Sequence, residues 1–215
     1  MKTKKIIFFV IIFIFIIALG FFLWKAFKEE SIPSNINSNT AFSDEYIERE
    51  INGEKIIEHK ETKFEMRIPN NWDMTNNVGE WGIICTSPDF ELHEEAGPYS
   101  PPIPKKGCSV SINILKENSS TSEEDMYSYY VQKNIDWCLA NKSECDEEVV
   151  IVDDNNAIKH TYYPDNDKLV PGYYVKFSIP NGRILYEIES YFFGQDKEKC
   201  SQEFENILET VKIGK

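Results

Sequence analysis

The chain has 215 residues, of which 23 are basic and 36 are acidic, so its formal net charge at pH 7 is −13. A chain this acidic is repelled by nucleic acid and by anionic membrane surfaces, which excludes partners that bind through phosphate charge. Residues 1–28 contain five lysines and no acidic residue, so the remainder is more acidic than the chain as a whole.

The first element is an apolar segment of 19 residues, 6–24, that carries no charge. A helix of that length spans roughly 28 Å, close to the hydrocarbon core of a bilayer. We therefore predict a short tail over residues 1–5 and a retained transmembrane helix over residues 6–24. A cleaved signal peptide is the alternative, because Ala18 and Gly20 have the spacing of a cleavage site.

The charges beside this segment predict its orientation. Lys2, Lys4 and Lys5 precede it, whereas Glu29 and Glu30 follow. The positive-inside rule then places the N-terminus in the cytoplasm and the rest outside, as a single-pass protein of the cell membrane held in the lipid bilayer by its N-terminal helix.

Two further regions complete the predicted organisation. Residues 25–43 are rich in Ser and Asn and are expected to form a flexible tether. Residues 44–215 are enough for one exported domain with a proper core.

Strand patterns dominate the first half of this domain. The Asn52-Gly53 pair indicates a hairpin, with a short helix beginning at Ser43 as the alternative. Apolar residues alternate with polar ones over 64–68, 81–85 and 108–114, which predicts three strands. Residues 89–107 include four prolines and two glycines, and we expect a long loop without regular structure.

The second half mixes helices and strands. A helix capped by Ser122 is predicted from apolar residues that recur every four positions, at Tyr127, Val131, Ile135 and Leu139. Two strands should follow it, and then a long hairpin with Asn181-Gly182 at its turn. A last helix is predicted by the stripe Cys200, Phe204, Ile207, Leu208 and Val211.

These elements predict an α+β domain in which helices flank an antiparallel β-sheet as an α/β/α sandwich, preceded by an N-terminal transmembrane helix. Several aromatic residues fall opposite or beside the predicted core stripes: Tyr129, Trp137, Tyr174, Tyr191 and Phe193. We expect the helices to cover them, and the alternative is an exposed patch for a protein or glycan partner.

Two motifs resemble the PsbP-like superfamily. "KFEMRIPNNW" is similar to the strand-Pro-x-x-Trp opening of that fold, and "EFENILETVKI" is similar to its closing helix. The superfamily includes an extrinsic photosystem subunit, a Ran-binding import factor and many membrane-attached bacterial proteins. The resemblance covers about residues 62–213 and implies a binding or assembly module without shared catalytic residues. The 19-residue loop and the five cysteines depart from the family pattern.

The sequence holds no motif of a hydrolase, a phosphate-binding loop or a structural metal site, and we predict no catalytic residues, metal or cofactor. His59, His93 and His160 have no motif around them, and Glu91, His93, Glu94 and Glu95 form a run typical of a solvated loop. We therefore expect a membrane-anchored, extracytoplasmic binding or assembly module with a protein or envelope partner. The alternatives are an envelope-acting hydrolase that uses a carboxylate pair, or a structural spacer.

The five cysteines lie in the part predicted to be exported, where disulfides form. Cys85 and Cys108 lie on the apolar faces of two strands at either end of the long loop, and Cys138 and Cys145 lie where the first helix should end. We predict the bonds Cys85–Cys108 and Cys138–Cys145, with Cys200 as a free buried thiol. The alternatives are five reduced thiols, or a bond between Cys200 and one of these partners.

Overall fold

A computed structural model describes residues 38–40, 43–76, 82–92, 104–117, 144–163 and 172–214, together with residues 128–129, 131–133, 135–136 and 138. The strands are β1 (Ser38–Thr40), β2 (Tyr46–Ile51), β3 (Glu54–His59), β4 (Glu65–Ile68), β5 (Asp73–Asn76), β6 (Ile83–Thr86), β7 (Glu91–Leu92), β8 (Pro104–Lys106), β9 (Ser109–Glu117), β10 (Glu144–Val152), β11 (Asn155–Tyr163), β12 (Gly172–Asn181) and β13 (Ile184–Phe193).

Eight of these strands form one antiparallel sheet. Across it the order is β10, β11, β12, β13, β9, β6 and β5, and β1 also pairs with β9. A second sheet contains β2, β3 and β4, and a third contains β7 and β8. With two helices, this is the α+β fold that the sequence predicted.

Two-residue turns join the hairpins. Asn52 and Gly53 connect β2 to β3, and both have positive φ angles, 56° and 79°. Asp153 and Asp154 connect β10 to β11 in the same way, at 47° and 63°. Positive φ at both positions is the type I′ geometry, whose twist matches that of paired strands. The predicted Asn52-Gly53 hairpin is confirmed, and Ser43–Glu45 forms a single 3₁₀ turn before it.

The long hairpin of β12 and β13 is also confirmed. Ile179 lies opposite Tyr186 and Phe177 opposite Ile188, which are the pairs expected from the alternation. The pairing of Asn181 with Ile184 makes residues 182 and 183 the loop, one residue later than predicted.

The two faces of the main sheet differ in chemistry. One, called here the apolar face, carries Val175, Phe177, Ile179 and Ile188, all of them buried. The other, the polar face, carries the residues that alternate with these. The three-stranded sheet packs on the apolar face, where the ring of Phe64 stacks on Tyr186 at a centroid distance of 5.7 Å.

The C-terminal helix, Lys197–Leu208, packs on the apolar face beside the three-stranded sheet. It buries Cys200, Phe204 and Ile207, as the predicted stripe required. The ring of Phe204 lies 5.8 Å from that of Phe177 and 5.6 Å from that of Phe192.

The described residues between 128 and 138 are helical, and this helix contacts the polar face. Tyr129 packs against Leu115 and Leu185 of that face. Of the predicted stripe, Val131 is half-buried, Ile135 is 40% exposed and so was wrongly included, and Tyr127 and Leu139 lie outside the described residues. The predicted cap, Ser122, lies outside the described residues.

One of the two predicted disulfides is wrong. Cys108 bonds to Cys200, and Cys85 is a buried free thiol. The cause lies in the register, because Cys85 is opposite Val110 and not opposite Cys108. The second bond joins Cys138 to Cys145, the pairing that the sequence favoured.

The long loop also differs from expectation. Glu91–Leu92 and Pro104–Lys106 pair as two short antiparallel strands at its base, although we expected no regular structure. Proline at a strand end and on an edge does not interrupt a ladder, which is why Pro104 is tolerated.

No helix within the described ranges is long and apolar enough to cross a bilayer. The predicted anchor at residues 6–24 lies outside those ranges and stays a prediction.

Candidate binding cleft

A cleft of about 210 Å³ opens on the apolar face between the C-terminal helix and strands β11 and β12. Its floor is apolar and consists of Val175, Phe177, Phe192, Phe204 and Leu208. Its walls are polar or aromatic and consist of Lys159, Thr161, Tyr163, Tyr173, Ser201 and Glu205. We call this recess the acidic cleft, for the charges described below.

The cleft exists because the helix covers only the central strands of the sheet. On β11 the residues of the apolar face are Lys159, Thr161 and Tyr163, which continue the rows of Val175 and Phe177 into solvent. A short helix can bury the aromatic centre of the face, and β11 then remains beside it as an open polar wall.

Two tyrosines form the aromatic part of the wall. The rings of Tyr163 and Tyr173 lie 5.8 Å apart, and Tyr173 also contacts Phe192 at 5.0 Å. The hydroxyl of Tyr173 donates a hydrogen bond to Ser201 Oγ at 3.4 Å, which ties the wall to the helix. Tyr163 is 39% exposed, so part of this residue is open to solvent.

Strand β10 adds a row of acids at the rim. Glu144, Asp146 and Glu148 lie opposite Tyr163, Thr161 and Lys159 respectively, and therefore share the apolar face with them. Burial and the neighbouring Asp146 carboxylate raise the pKa of Tyr163.

Of the described residues that line the cleft, Lys159 alone is positively charged, and a carboxylate neutralises it. Lys159 Nζ lies 3.6 Å from Glu148 Oε2. With Glu205 on the helix and Glu144 and Asp146 at the rim, the net charge of the site is negative. Tyrosine faces and carboxylates both attract cations, so the cleft is suited to a lysine or arginine side chain.

The polar face carries a second group of ionisable residues, called here the ionisable row. Glu147, His160, Lys176 and Glu189 lie side by side across β10 to β13. Burial, followed by the charge of Lys176, lowers the pKa of His160 to about 4, and burial raises the pKa of Glu189. Perturbed pKa values in a cluster are one mark of a functional site.

The contacts of the ionisable row are nevertheless internal. Lys176 forms an ion pair with Glu187, and His160 Nδ1 lies 3.6 Å from Glu147 Oε2. His160 is 3% exposed. The row therefore behaves as a network of contacts between neighbouring strands of the sheet.

Three tyrosines stack beside this row. Tyr174 lies 4.3 Å from Tyr162 and 5.3 Å from Tyr191, measured between ring centroids. Tyr174 and Tyr191 are half-buried and Phe193 is buried, so none of these three members of the aromatic set is an exposed residue. Trp137 lies outside the described residues.

His59 has neighbours in the order of a hydrolase triad. Its Nδ1 lies 3.0 Å from Thr62 Oγ1, and its Nε2 lies 3.6 Å from Glu45 Oε2. However, the backbone N–H of Thr62 also donates to Nδ1 at 3.3 Å, and Thr62 is 7% exposed. The arrangement closes a turn and leaves the hydroxyl without access to a substrate.

A larger cavity of about 340 Å³ lies between the β2–β3 turn, the end of β4 and the C-terminal helix. Arg67 donates to Glu54 there at 2.7 Å, and Glu203 lines the same cavity. Arg67 neutralises Glu54, so Glu203 is the one unbalanced carboxylate among the described residues that line this cavity, against Glu205, Glu144 and Asp146 at the acidic cleft.

The described residues contain no group of three side chains able to hold a metal ion. In the loop, Glu91 pairs with Lys105 at 3.8 Å, and His93, Glu94 and Glu95 lie outside the described ranges. Sequence reasoning missed the acidic cleft, although the alternating acids of β10 are visible in the sequence.

No protein-family model and no curated protein sequence matches the chain. Among solved structures, LpqN of Mycobacterium tuberculosis, a protein involved in cell envelope biogenesis, is similar over 86% of this chain and 95% of its own, with a TM-score of 0.51 and 9% identity. A protein from Bacteroides thetaiotaomicron is similar over 71% of this chain and 45% of its own, with a TM-score of 0.39 and 16% identity. The chain is thus similar in fold to LpqN, and the resemblance to the PsbP-like superfamily stays a prediction.

Proposed function

We propose that this protein is a membrane-anchored, extracytoplasmic binding module of the cell envelope, without catalytic activity, that holds a cationic group of its partner in the acidic cleft. The cleft carries the proposal. It combines an apolar floor, two tyrosine rings and a surplus of carboxylates, which is the chemistry that recognises a lysine or arginine side chain.

Two disulfides support the proposed extracytoplasmic location. Cys108–Cys200 and Cys138–Cys145 form and persist in oxidising surroundings outside the cytoplasm. The uncharged segment 6–24 supports an anchor, and the lysines before it support an N-terminus in the cytoplasm.

The likeness to LpqN agrees with a role in the envelope, because that protein is involved in cell envelope biogenesis. We also place the chain in the PsbP-like superfamily, on the strand-Pro-x-x-Trp opening and the closing helix. Both motifs fall on fitting elements, β4 with the turn after it and the helix Lys197–Leu208.

We propose the absence of catalytic activity because the ionisable side chains named above are enclosed and already in contact with one another. His59 and His160 are both buried and in contact with carboxylates, and Lys176 is paired with Glu187. An acid–base catalyst must reach its substrate, and these groups are enclosed.

A site-specific photo-cross-link tests the proposal in living cells. A benzoylphenylalanine residue at position 163 replaces Tyr163 in the wall of the cleft, and the matched variant carries it at Ile51. Ile51 is 44% exposed but belongs to the three-stranded sheet. We expect a discrete adduct from position 163 and none from position 51.

Glu205→Lys combined with the probe at position 163 should reduce the yield of that adduct, since it reverses one charge of the cleft. Equal adducts from both positions, or none from position 163, would contradict the proposal. Turnover of an envelope glycan or peptide by the purified full-length protein would overturn the non-enzymatic part.

A further inference from the structure

Strand β10 is an open edge of the eight-stranded sheet. All nine of its residues pair with β11, and within the part of the chain that the structure describes no strand pairs with its other side. Every second N–H and C=O of an edge strand points away from the sheet, and such an edge can accept a further strand.

The acids of β10 lie in its first five residues, and its last four residues are branched and apolar. Glu144, Asp146 and Glu148 lie on the apolar face, at the rim of the acidic cleft. Val149 and Ile151 lie on the polar face and are 61% and 65% exposed, more than any other large hydrophobic side chain described. An edge strand that exposes two apolar side chains is usually covered by another segment in the functional protein.

A second copy of the chain is a poor cover for this edge. Antiparallel pairing of β10 with itself about its midpoint would set Glu148 beside Glu148 and place Glu144 and Asp146 opposite Val152 and Val150, so none of these acids would gain a partner of opposite charge. The same acids favour a strand of opposite charge.

We propose that β10 accepts an extended, basic segment of a partner protein as an additional strand of the sheet. The proposal rests on the proposed function, since it names the partner class of the same site. Lysine or arginine side chains of the segment face Glu144, Asp146 and Glu148. Its alternate β-branched residues cover Val149 and Ile151.

The acidic cleft then has a defined part in this complex. Asp146 is hydrogen-bonded to Tyr163 and so links the strand edge to the tyrosine wall. A basic side chain placed beside Asp146 adjoins the carboxylate that holds Tyr163 and therefore lies at the rim of the acidic cleft. Backbone pairing would supply affinity, and the acids with the tyrosine wall would select basic side chains.

A synthetic peptide tests the backbone pairing directly. The probe alternates lysine with valine over nine residues, the length of β10. Fluorescently labelled, it is titrated into the full-length protein in detergent micelles at physiological ionic strength. Two further peptides carry N-methyl groups on all lysines or on all valines.

Because the N–H groups of alternate residues point to one side of a strand, only one methylated set faces β10. One methylated peptide should bind at least about tenfold more weakly and the other about as well as the parent. A peptide held by its side chains alone would lose affinity equally in both forms, and that result would overturn strand addition.

The charge requirement is tested on the protein. Glu144→Lys should weaken binding of the parent peptide about threefold to tenfold, because it reverses one charge of the rim. Glu50→Lys makes the same change at an exposed acid of β2, in the separate three-stranded sheet, and should leave binding unchanged. Equal weakening by both would mean that the peptide senses only overall charge, against the proposal.

The outcomes separate the two proposals. If position 163 forms the cross-link but the peptide tests fail, the protein is still a binding module and strand addition is refuted. Failure of both refutes both. A dimer in sedimentation whose β10 amides are protected from hydrogen exchange would make a second copy the occupant and overturn the basic partner.

Discussion

Cys108 is bonded to Cys200, which lies 92 residues further along the chain, with their Cα atoms 5.1 Å apart. The bond joins the first turn of the C-terminal helix to the residue that precedes β9, a central strand of the main sheet. The same helix forms one wall of the acidic cleft, so this bond holds that wall against the sheet.

Removal of this bond should destabilise the domain strongly. The double variant Cys108→Ser/Cys200→Ser is expected to lose about 2–5 kcal/mol of unfolding free energy, because the bond closes a long loop. Cys138→Ser/Cys145→Ser opens a loop of only seven residues and should lose about 2 kcal/mol. Urea unfolding of the full-length protein in micelles, followed by near-ultraviolet circular dichroism, measures both.

Peptide mapping without reduction provides the control. Burial raises the pKa of Cys85 to about 12, so this thiol should resist alkylation at pH 8 until the protein unfolds. A peptide that joins Cys85 to Cys108, or equal losses of stability in the two double variants, would contradict this assignment.

The cysteines also show where sequence reasoning reaches its limit. Alternation correctly placed Cys85 and Cys108 on buried strand faces, because a period of two is a local property. The partner of Cys108 depends on which helix packs over the start of β9, and that is decided by contacts far apart in sequence. Ile135 was wrongly predicted to be buried for the same reason, since a helix with apolar residues on two sides does not reveal which side meets the sheet.

The candidate site was harder to predict than the fold. Tyr163 and Tyr173 lie on neighbouring strands but belong to separate segments of the chain, and the cleft between them depends on how far the helix extends over the sheet. The acids of β10 and the branched apolar residues that follow them were visible in the sequence. Its position at a sheet edge, which makes it a candidate surface, required the strand order.

The turn between β10 and β11 predicts opposite effects of one substitution at two adjacent positions. Asp154 has a φ of 63°. Glycine adopts a positive φ without steric strain, so Asp154→Gly should stabilise the protein by up to about 1 kcal/mol. Asp153 also has a positive φ, but its Oδ2 accepts a hydrogen bond from the backbone N–H of Ile213 at 2.6 Å. The loss of that bond should exceed the gain in the turn, so Asp153→Gly should destabilise the protein by about 1 kcal/mol. Thermal unfolding of the two variants side by side decides the matter, and equal signs would refute this account.

The buried His160 predicts a pH dependence of stability. Its pKa is about 4 in the folded protein, against about 6.5 in an unfolded chain. Between these values the unfolded chain binds a proton that the folded one does not, so the free energy of unfolding should fall as pH is lowered from about 6.5 towards 4.

Two neighbours face this imidazole and affect the size of the change. Lys176 acts with burial to keep His160 neutral, whereas the raised pKa of Glu147 contributes in the opposite direction. In the variant His160→Gln, the slope of the free energy of unfolding against pH should be smaller by as much as about 1.4 kcal/mol per pH unit where the curve is steepest. Urea midpoints measured at intervals of pH give both curves, and identical curves for variant and parent would disprove the assignment.

The last prediction concerns the apolar segment at residues 6–24. Retained as a helix, it leaves residues 1–5 in the cytoplasm and the domain outside, and the predicted tether of residues 25–43 is shortened at its end, because Ser38–Thr40 pairs with β9 as strand β1. Protease added to spheroplasts should therefore degrade the domain and spare an epitope fused to the N-terminus, because the bilayer shields that side. Detergent lysis before digestion is the control and should expose the epitope.

An arginine in place of Phe13 would put a charge near the bilayer centre and should release much of the protein from the membrane fraction. A mature protein that begins at Phe21 would show instead that the segment is a signal peptide, in which case the domain leaves the membrane with the same disulfides and the same acidic cleft.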